Sequence, residues 1–394
     1  MTASDPESQA ASRPTIVVVG LSFPYRGGIS HYSTLFVRQL RQKFNVRFIT
    51  LSRQYPSLLF PGTTQYDSSD KRLEEPNERL IDSINPLTWV RTARAIRKAR
   101  PSLVVIQWWH PFFAFAFGSI KCMLGRELRR KTVFLCHNVL PHEGSPLQKT
   151  LSRFAFFGSN LFIVHSSQDR QQLLDLRGDA KIRQGLHPTY AEFSDSHWSR
   201  STARTDLGIA ADEKVILFFG LVRKYKGLQY LIEAMGRVLD ELDCKLLIVG
   251  EFYDDKQPYL DLIESQRIGG SVRVVDQYVP NEDVPKYFLA ADVVVLPYVS
   301  ATQSGIVQIA FGIGTPVITT NVGGLPEAVD DGETGYIVES QSCVAIADAI
   351  IRYFCSDADS KFRAAIRRQN ERFDWDHEIR FIEEFLQEAN RQGT

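Results

Sequence analysis

Short runs of consecutive apolar residues alternate with segments of helical periodicity along this chain, and the alternation occurs in two blocks. Strands that are apolar on both sides are typical of parallel sheets covered by helices. The first block has strand-like runs at 15–20, 46–51, 103–108, 132–136 and 161–165, and helical patterns at 29–40 and 86–100. This block therefore predicts a doubly wound α/β domain.

The same pattern restarts at residue 214. Strand-like runs lie at 214–220, 245–250, 271–275, 293–296 and 317–319, with helical patterns at 228–241, 285–290 and 342–354. We therefore predict an α/β fold of two Rossmann-like, doubly wound parallel-sheet domains facing a cleft. The predicted parts are a disordered lead-in at 1–13, an amino-terminal domain at 14–195, a carboxyl-terminal domain at 196–375 and a helix at 376–394, which could pack on either domain.

Charge and cysteine content narrow the functional class. The 394 residues include 46 basic and 46 acidic ones, and a chain without basic excess is a poor candidate for nucleic-acid binding. The five cysteines form no CxxC pair, which favours a reducing compartment over a disulfide framework or a cysteine zinc site. Residues 1–14 lack the apolar stretch of a secretory signal, so we expect a cytoplasmic protein.

An uncharged stretch at 101–120 has the length of a membrane-spanning helix. Its middle contains Gln107, His110 and Pro111, and polar or helix-breaking residues are costly there. We therefore interpret the stretch as a buried strand, a turn at His110–Pro111 and a helix from Phe112, rather than as a span.

Residues that follow the predicted strands are the candidates for ligand binding, because open parallel sheets bind ligands beyond the carboxyl ends of their strands. Gly27 and Gly28 follow the first strand and open a helix, whose amides favour an anion. His137 follows the strand at 132–136 and could polarise a substrate hydroxyl, with His142 and His165 as rivals. A plain turn and a core or capping histidine are the structural alternatives.

Two further strand ends carry groups that suit phosphate. Arg223 and Lys226 lie in a glycine-bounded loop that leads into a helix, and cations beside helix amides suit a diphosphate. The segment Gln303-Ser304-Gly305 would form the first turn of a later helix and expose its N–H groups. A solvated basic loop and an ordinary capped helix start would also explain these residues.

Together these segments resemble the retaining glycosyltransferases of family 4, the glycosyl transferases group 1, which have the GT-B fold. The resemblance covers most of the chain and is more specific in its carboxyl-terminal half. The matching segments are Gly27-Gly28-Ile29, His137-Asn138, the loop from Gly220 to Gly227, Ala291-Asp292 with the strand to Pro297, Gly314-Thr315-Pro316, Val322-Gly323-Gly324-Leu325-Pro326-Glu327 and Gly332-Glu333-Thr334-Gly335.

The resemblance implies a nucleotide-diphosphate sugar donor on the second domain and a hydroxyl acceptor, on a glycan or lipid-linked glycan, on the first. By position, Lys226 and Arg223 would contact the diphosphate, and the amides of Ser304 and Gly305 would bind phosphate. Gly28 would lie under the donor, and His137 beside the reacting sugar. The segment Gln277-Tyr278-Val279 would lie by the base.

The chain departs from the family pattern at three positions. Two glutamates, eight positions apart, are usual where this chain has Ala301 and Ile309, and Gln303 could replace the first of them. The usual arginine after Gly220 is Leu221, with Arg223 two residues on. These departures leave the identity of the donor sugar and nucleotide open. They also keep a non-catalytic relative that only binds a nucleotide sugar as an alternative.

The expected chemistry needs no cofactor and no divalent metal, because cations and helix N–H groups can stabilise the departing diphosphate. The acidic strings at 357–359 and 374–376 are interpreted as helix-end acids rather than metal ligands. A nucleotide-sugar epimerase or hydrolase would need paired carboxylates at the strand ends, and a nicotinamide oxidoreductase would need GxGxxG. The sequence shows neither pattern.

Two basic segments, at 91–100 and 125–131, adjoin the Phe-rich stretch after residue 111. The first contains five cations and no acid. Basic residues beside aromatic ones predict contact with anionic lipid at the inner face of a membrane, where a lipid-linked acceptor would be reachable. Ordinary solvated helix faces are the alternative.

Overall fold

A computed structural model describes residues 13–56, 64–70, 74–140, 145–193 and 197–391 of the chain. Residues 1–12 of the predicted lead-in, and the rival histidine His142, lie outside the described residues. The chain forms two compact units, one of Met1–Gly185 with Trp375–Thr394 and one of Leu186–Asp374.

The amino-terminal unit contains seven strands that pair in parallel. The strands are β1 (Thr15–Gly20), β2 (Asn45–Arg53), β3 (Glu78–Asp82), β4 (Leu103–Trp108), β5 (Thr132–Cys136), β6 (Leu161–Val164) and β7 (Lys181–Gln184). Their order in the sheet is β3-β2-β1-β4-β5-β6-β7. The connecting helices are α1 (Gly28–Lys43), α2 (Pro86–Ala99), α3 (Ala114–Cys122), α4 (Arg126–Arg130), α5 (Pro146–Phe156) and α6 (Ser167–Leu176).

The carboxyl-terminal unit has a six-stranded parallel sheet of the same kind. Its strands are β8 (Lys214–Phe219), β9 (Cys244–Val249), β10 (Val272–Val275), β11 (Val293–Leu296), β12 (Val317–Thr320) and β13 (Gly335–Val338), in the order β10-β9-β8-β11-β12-β13. Its helices are α7 (Arg200–Leu207), α8 (Leu228–Glu241), α9 (Gln257–Ser265), α10 (Val284–Ala290), α11 (Gly305–Ile313), α12 (Leu325–Ala328), α13 (Cys343–Phe354) and α14 (Ala358–Arg368). Two parallel α/β sheets confirm the predicted fold class.

Asp292, in one of the family-like segments, holds the second unit together. Its carboxylate accepts hydrogen bonds from the backbone N–H of Val215 at 2.7 Å and from Arg204 at 3.1 Å. The Tyr353 hydroxyl donates to its backbone carbonyl at 2.9 Å. These contacts join α7, β8, β11 and α13, so the role of Asp292 is structural.

The last helix, α15 (Trp375–Arg391), belongs to the amino-terminal unit. It packs on α1, and two cations of the edge strand β7 bind it. Lys181 pairs with Glu388 at 2.9 Å, and Arg183 pairs with both Glu388 and Glu384.

The division between the units lies after Gly185, whereas the predicted boundary lies after residue 195. Residues 186–193 belong to the second unit because their contacts lie there. The backbone N–H of Thr189 donates to Phe373 O at 3.0 Å, and the Tyr190 ring packs beside Gly305.

The stretch at 101–120 contains a buried strand rather than a span. Residues 103–108 form β4, a 3-10 turn follows at Pro111–Phe113, and α3 begins at Ala114. Among the described residues, no helix combines the length and the apolar character that crossing a bilayer requires.

Lys121 on α3 is fully buried and serves as a helix cap. Its ammonium group donates to the carbonyl of Ala155 at 2.6 Å and to that of Phe157, at the carboxyl end of α5. Cations favour this end of a helix because its last carbonyls are unpaired. Burial nevertheless lowers the pKa of Lys121 to about 7.

This lowered pKa predicts a pH-dependent stability. Above pH 7 the folded state binds fewer protons at Lys121 than the unfolded state, so the free energy of unfolding of the native protein should rise relative to Lys121→Met. The expected gain is up to about 1.4 kcal/mol per pH unit between pH 7 and 9. Urea unfolding followed by tryptophan fluorescence measures it. The control, Lys149→Met on exposed α5 surface, should show no such gain, and parallel pH profiles for the native protein and Lys121→Met would contradict the assignment.

Candidate functional site

The carboxyl ends of β8, β9 and β10 lie close together in the second unit. The backbone N–H of Gly220 donates to Val249 O at 2.9 Å, and that of Gly250 donates to Val275 O at 3.0 Å. A Cβ atom on Gly250 would lie 2.1 Å from Gly220 O, and its φ is +146°. Only glycine fits there, so the strand-end glycines permit this close approach.

Lys226 lies above this edge and is only 7% exposed. Gly227, with φ +65°, ends the short 3-10 turn that carries it. The Lys226 Nζ and the Ile306 side chain of α11 both border the space above Gly220, at 3.0 and 3.3 Å from where its Cβ would be. Lys226 Nζ therefore lies close to the first turn of α11 within this unit.

Tyr298 links the lysine to the helix start. Its ring lies beneath the Lys226 ammonium group, 5.5 Å from Nζ to the ring centroid, and its hydroxyl is hydrogen-bonded to the side chain of Ser304. Burial raises the pKa of Tyr298, so its phenol stays neutral. Aromatic faces attract cations but do not neutralise them.

The electrostatics of Lys226 favour an anionic ligand. Burial, and to a lesser degree the neighbouring cation Arg223, lowers the pKa of Lys226 to about 7. Within the described ranges no carboxylate forms an ion pair with it. A bound anion would supply the missing counter-charge.

Ser304 begins α11 as its N-cap, and its hydroxyl accepts from the N–H of Ile306 at 3.2 Å. Gly305 follows, with the Tyr190 ring 3.5 Å from where its Cβ would be. Gln303 precedes them and is half-buried. This first turn therefore has a buried aromatic wall and the N–H groups that phosphate favours.

Arg223 is exposed, and its guanidinium stacks on Tyr253 at 4.9 Å from the ring centroid. The loop is also held through its backbone, since the N–H of Lys224 donates to Asp254 at 2.9 Å. Arg223 therefore stands at the rim, whereas Lys226 is buried. Tyr253 and Tyr298 are not among the predicted site residues, although each closely follows a predicted strand.

The proposed nucleoside segment follows β10 at the edge of the sheet. Gln277 is exposed, Tyr278 is half-buried and Val279 is 6% exposed. The segment lies at the same sheet edge as Gly220 and Gly250. Its contact with a base stays a prediction.

The two positions where the family has glutamates are buried and apolar. Ala301 is 4% exposed and Ile309 is 6% exposed. Neither side chain can bind a hydroxyl group. Glu251, which follows the strand-ending Gly250 and is 9% exposed, is an acid near this edge that the sequence analysis missed.

In the amino-terminal unit, Gly27 and Gly28 start α1 as predicted. Gly27 has φ +104°, and among the described residues, apart from the chain neighbours and the helix backbone, no heavy atom lies within 4 Å of a Cβ built on either glycine. One turn on, His31 pairs with Asp67 at 3.6 Å. Burial acts to raise the pKa of Asp67, but hydrogen bonds from His31 and Ser69 lower it to about 2.

His137 follows β5 and is 3% exposed. Its Nε2 lies 3.0 Å from Gln107 Oε1, which also accepts from the Ser33 hydroxyl at 2.6 Å. The Tyr32 ring packs edge-on against the imidazole at 4.6 Å between centroids. If Nε2 donates to Gln107, the neutral ring has Nδ1 as its acceptor nitrogen.

His165, the rival histidine, has a different partner. Its Nε2 lies 3.0 Å from Glu378 Oε1 on α15 and 3.3 Å from the Tyr32 hydroxyl. His165 and Glu378 side chains are fully buried. Tyr32 therefore touches both histidines, and the buried pair fixes α15 beside His137.

Family profiles match both halves of the chain. The profile of glycosyl transferases group 1 matches residues 213–356, and that of glycosyltransferase family 4 matches residues 26–184. The chain is 31% identical over 202 residues to an uncharacterised glycosyltransferase of Methanocaldococcus jannaschii. This alignment covers 50% of each protein. The match thus spans about half of that relative.

Two longer matches cover nearly the whole chain. It is 22% identical to the N-acetyl-alpha-D-glucosaminyl L-malate synthase of Bacillus anthracis, over 84% of this chain and 85% of that protein. HepE of Anabaena, solved with UDP and glucose, superposes with a TM-score of 0.71 at 17% identity, over 96% of this chain and 100% of HepE. This likeness shows that the fold is that of the GT-B glycosyltransferases.

Glu378→Gln should lower the free energy of unfolding by about 1–3 kcal/mol, because it replaces one oxygen of a fully buried carboxyl group, which is hydrogen-bonded to His165, with an amide NH2 group that must find acceptors of its own. Urea unfolding at pH 7 measures the change. The matched control is Glu383→Gln on the same helix, whose exposed pair with Lys43 should contribute less than about 1 kcal/mol. Equal losses in the two variants would show that the buried pair does not anchor α15.

Proposed function

Because the chain belongs to the family 4 glycosyltransferases, the glycosyl transferases group 1, we propose that it transfers a sugar from a nucleotide-diphosphate sugar to a hydroxyl group. We propose further that the anomeric configuration is retained and that no divalent metal or cofactor takes part. The acceptor is a glycan or a lipid-linked glycan, and we expect the reaction to occur in the cytoplasm.

The observation that carries this proposal is the buried ammonium group of Lys226 next to the first turn of α11. A lysine with a lowered pKa and no acidic partner among the described residues is suited to a ligand that brings its own negative charge. The amides after Ser304 add donors for the same anion. A diphosphate would pair with the Lys226 ammonium group and accept hydrogen bonds from these amides.

In the proposed reaction, negative charge develops on the diphosphate as the bond to the sugar breaks. Lys226 and the α11 amides stabilise that charge, and Arg223 joins them from the rim. Such preorganised donors act most strongly where water is excluded. Burial of Lys226 therefore favours the charge-separated transition state over the intact donor.

The remaining steps involve the acceptor and the reacting sugar. We propose that His137 contacts the sugar, Gly27 and Gly28 lie by the donor, and Gln277, Tyr278 and Val279 lie by the base. The departing phosphate is proposed to take the acceptor proton. Gln303 is proposed to contact the donor in place of the missing glutamate.

HepE was solved with UDP and glucose, which makes UDP-glucose a reasonable first donor to test. A panel of UDP-, GDP- and ADP-sugars tested by thermal shift would identify the nucleotide. Slow hydrolysis of the stabilising donor would then separate an enzyme from a non-catalytic binder, an alternative that the buried Ala301 and Ile309 support. NMR of the first-formed anomer tests retention, and unchanged turnover in EDTA tests metal independence.

Substitution of both cations tests the diphosphate site. We expect Arg223→Ala/Lys226→Ala to lower donor turnover by at least about 100-fold, because each charged donor to a transition state contributes several kcal/mol. Steady-state assay with the identified donor measures this loss. The control is Lys224→Ala, an exposed cation of the same loop, which should keep turnover within about twofold. Intact turnover in the double variant would refute the proposal.

Donor affinity should also depend on pH. The protonated Lys226 binds the diphosphate, so affinity is highest below pH 7 and falls by up to about tenfold per pH unit above it. Calorimetric titration with the nucleotide sugar at pH 6.5, 7.5 and 8.5 measures the change, and the sugar diphosphate keeps its charge over this range. Lys226→Met should bind weakly with a flat profile. A native profile that is equally flat would exclude Lys226 from the site.

A further inference from the structure

One face of the amino-terminal unit exposes clustered apolar side chains. On this face α3 packs against both α2 and α5, and we call the surface of α2 to α5 the basic face. Five of the eight large apolar side chains that are exposed in the described part of the chain lie on it, namely Leu87, Phe115, Leu147, Phe154 and Phe157.

The centre of this cluster is built by close packing. The rings of Phe115 and Phe154 lie 6.1 Å apart between centroids. Gly118 leaves room for Phe154, since a Cβ there would lie 2.7 Å from its ring. Phe115 is still 58% exposed and Phe157 63% exposed, so two rings project from neighbouring helices into solvent.

The charge of the same face is strongly one-sided. In a chain with equal numbers of acids and bases, residues 86–140 and 145–160 contain a single acid, Glu127, which pairs with Lys131. Apart from the buried Lys121, the cations there are Arg91, Arg94, Arg97, Lys98, Arg100, Arg126, Arg129, Arg130, Lys131, Lys149 and Arg153. The five cations at 91–100 are all exposed, and none of them forms an ion pair with a described residue.

This combination identifies the chemistry of the partner. Anionic lipid headgroups attract clustered Lys and Arg, and the acyl boundary takes up Phe and Leu side chains that project between them. A nucleic acid would use the cations but would leave the exposed Leu87 and Leu147 without a role. A face that combines exposed apolar side chains with clustered cations therefore matches an interface of lipid and water.

We propose that the basic face lies on an anionic phospholipid bilayer, with Phe115 and Phe157 inserted at the acyl boundary and the cations of α2, α4 and α5 against the headgroups. The proposed contact is peripheral, because side chains of this face, rather than a whole helix, enter the bilayer. This proposal does not depend on the proposed glycosyltransferase activity, since binding to the bilayer can be measured without a sugar donor or acceptor.

Co-sedimentation of the full-length protein with vesicles tests this proposal. We expect binding to phosphatidylcholine vesicles that contain about a third phosphatidylglycerol, and at least about tenfold weaker binding to phosphatidylcholine alone. Phe115→Ser/Phe157→Ser and Arg94→Glu/Arg97→Glu/Lys98→Glu should each weaken binding at least about tenfold. The control is Arg367→Glu/Arg368→Glu on α14, two exposed cations of the other unit, which should bind as the native protein does.

Three outcomes would overturn the proposal. These are absent or lipid-independent binding, an equal loss in the α14 control, and full binding by the Phe115→Ser/Phe157→Ser variant, which would indicate diffuse attraction by charge. Circular dichroism checks that the variants fold. If the serine variant is unfolded, Phe157→Trp replaces it: brominated acyl chains should quench its added fluorescence, and no quenching would contradict insertion.

Discussion

A buried ammonium group that lacks an acidic partner among the described residues is the constraint around which the carboxyl-terminal unit arranges its strand ends. Burying a cation is costly, and the pKa of Lys226 falls to about 7 as a result. The absence of a side chain on Gly220 makes room for Nζ, and the Tyr298 ring supports it from below. An anion bound at the start of α11 would compensate this cost.

The two lysines that are buried in the described part of the chain, Lys121 and Lys226, have different surroundings. Both have a pKa lowered to about 7 by burial. Lys121 donates to two carbonyl groups at the end of α5, so its hydrogen-bonding capacity is used within the fold. Lys226 faces a ring and a glycine at a sheet edge where ligands of parallel α/β folds bind. A perturbed pKa alone would not have distinguished them.

Continuous apolar runs made much of the fold predictable, and long-range packing made the rest unpredictable. The strands at 103–108, 132–136 and 293–296 have the predicted bounds, because each is buried on both faces. The edge strands β3 (Glu78–Asp82) and β7 (Lys181–Gln184) were not predicted. Both consist mostly of polar residues and contain too few apolar ones to form a recognisable run. The sequence between Gly220 and Gly227 indicated a cationic loop but not the burial of the Lys226 side chain, which packs over the Tyr298 ring. The pairing of His165 with Glu378 joins residues 213 positions apart and left no local signal.

We propose that the Lys226 ammonium group binds the donor diphosphate, and direct titration of this one group tests the proposal. Carbon-13 labelling of the lysine side chains, with Lys226→Met to assign the resonance, allows its pKa to be measured by NMR in the free protein and with bound nucleotide sugar. We expect a pKa of about 7 in the free protein and a rise toward the ordinary lysine value when the donor binds. A resonance that titrates identically with and without a saturating donor would contradict it.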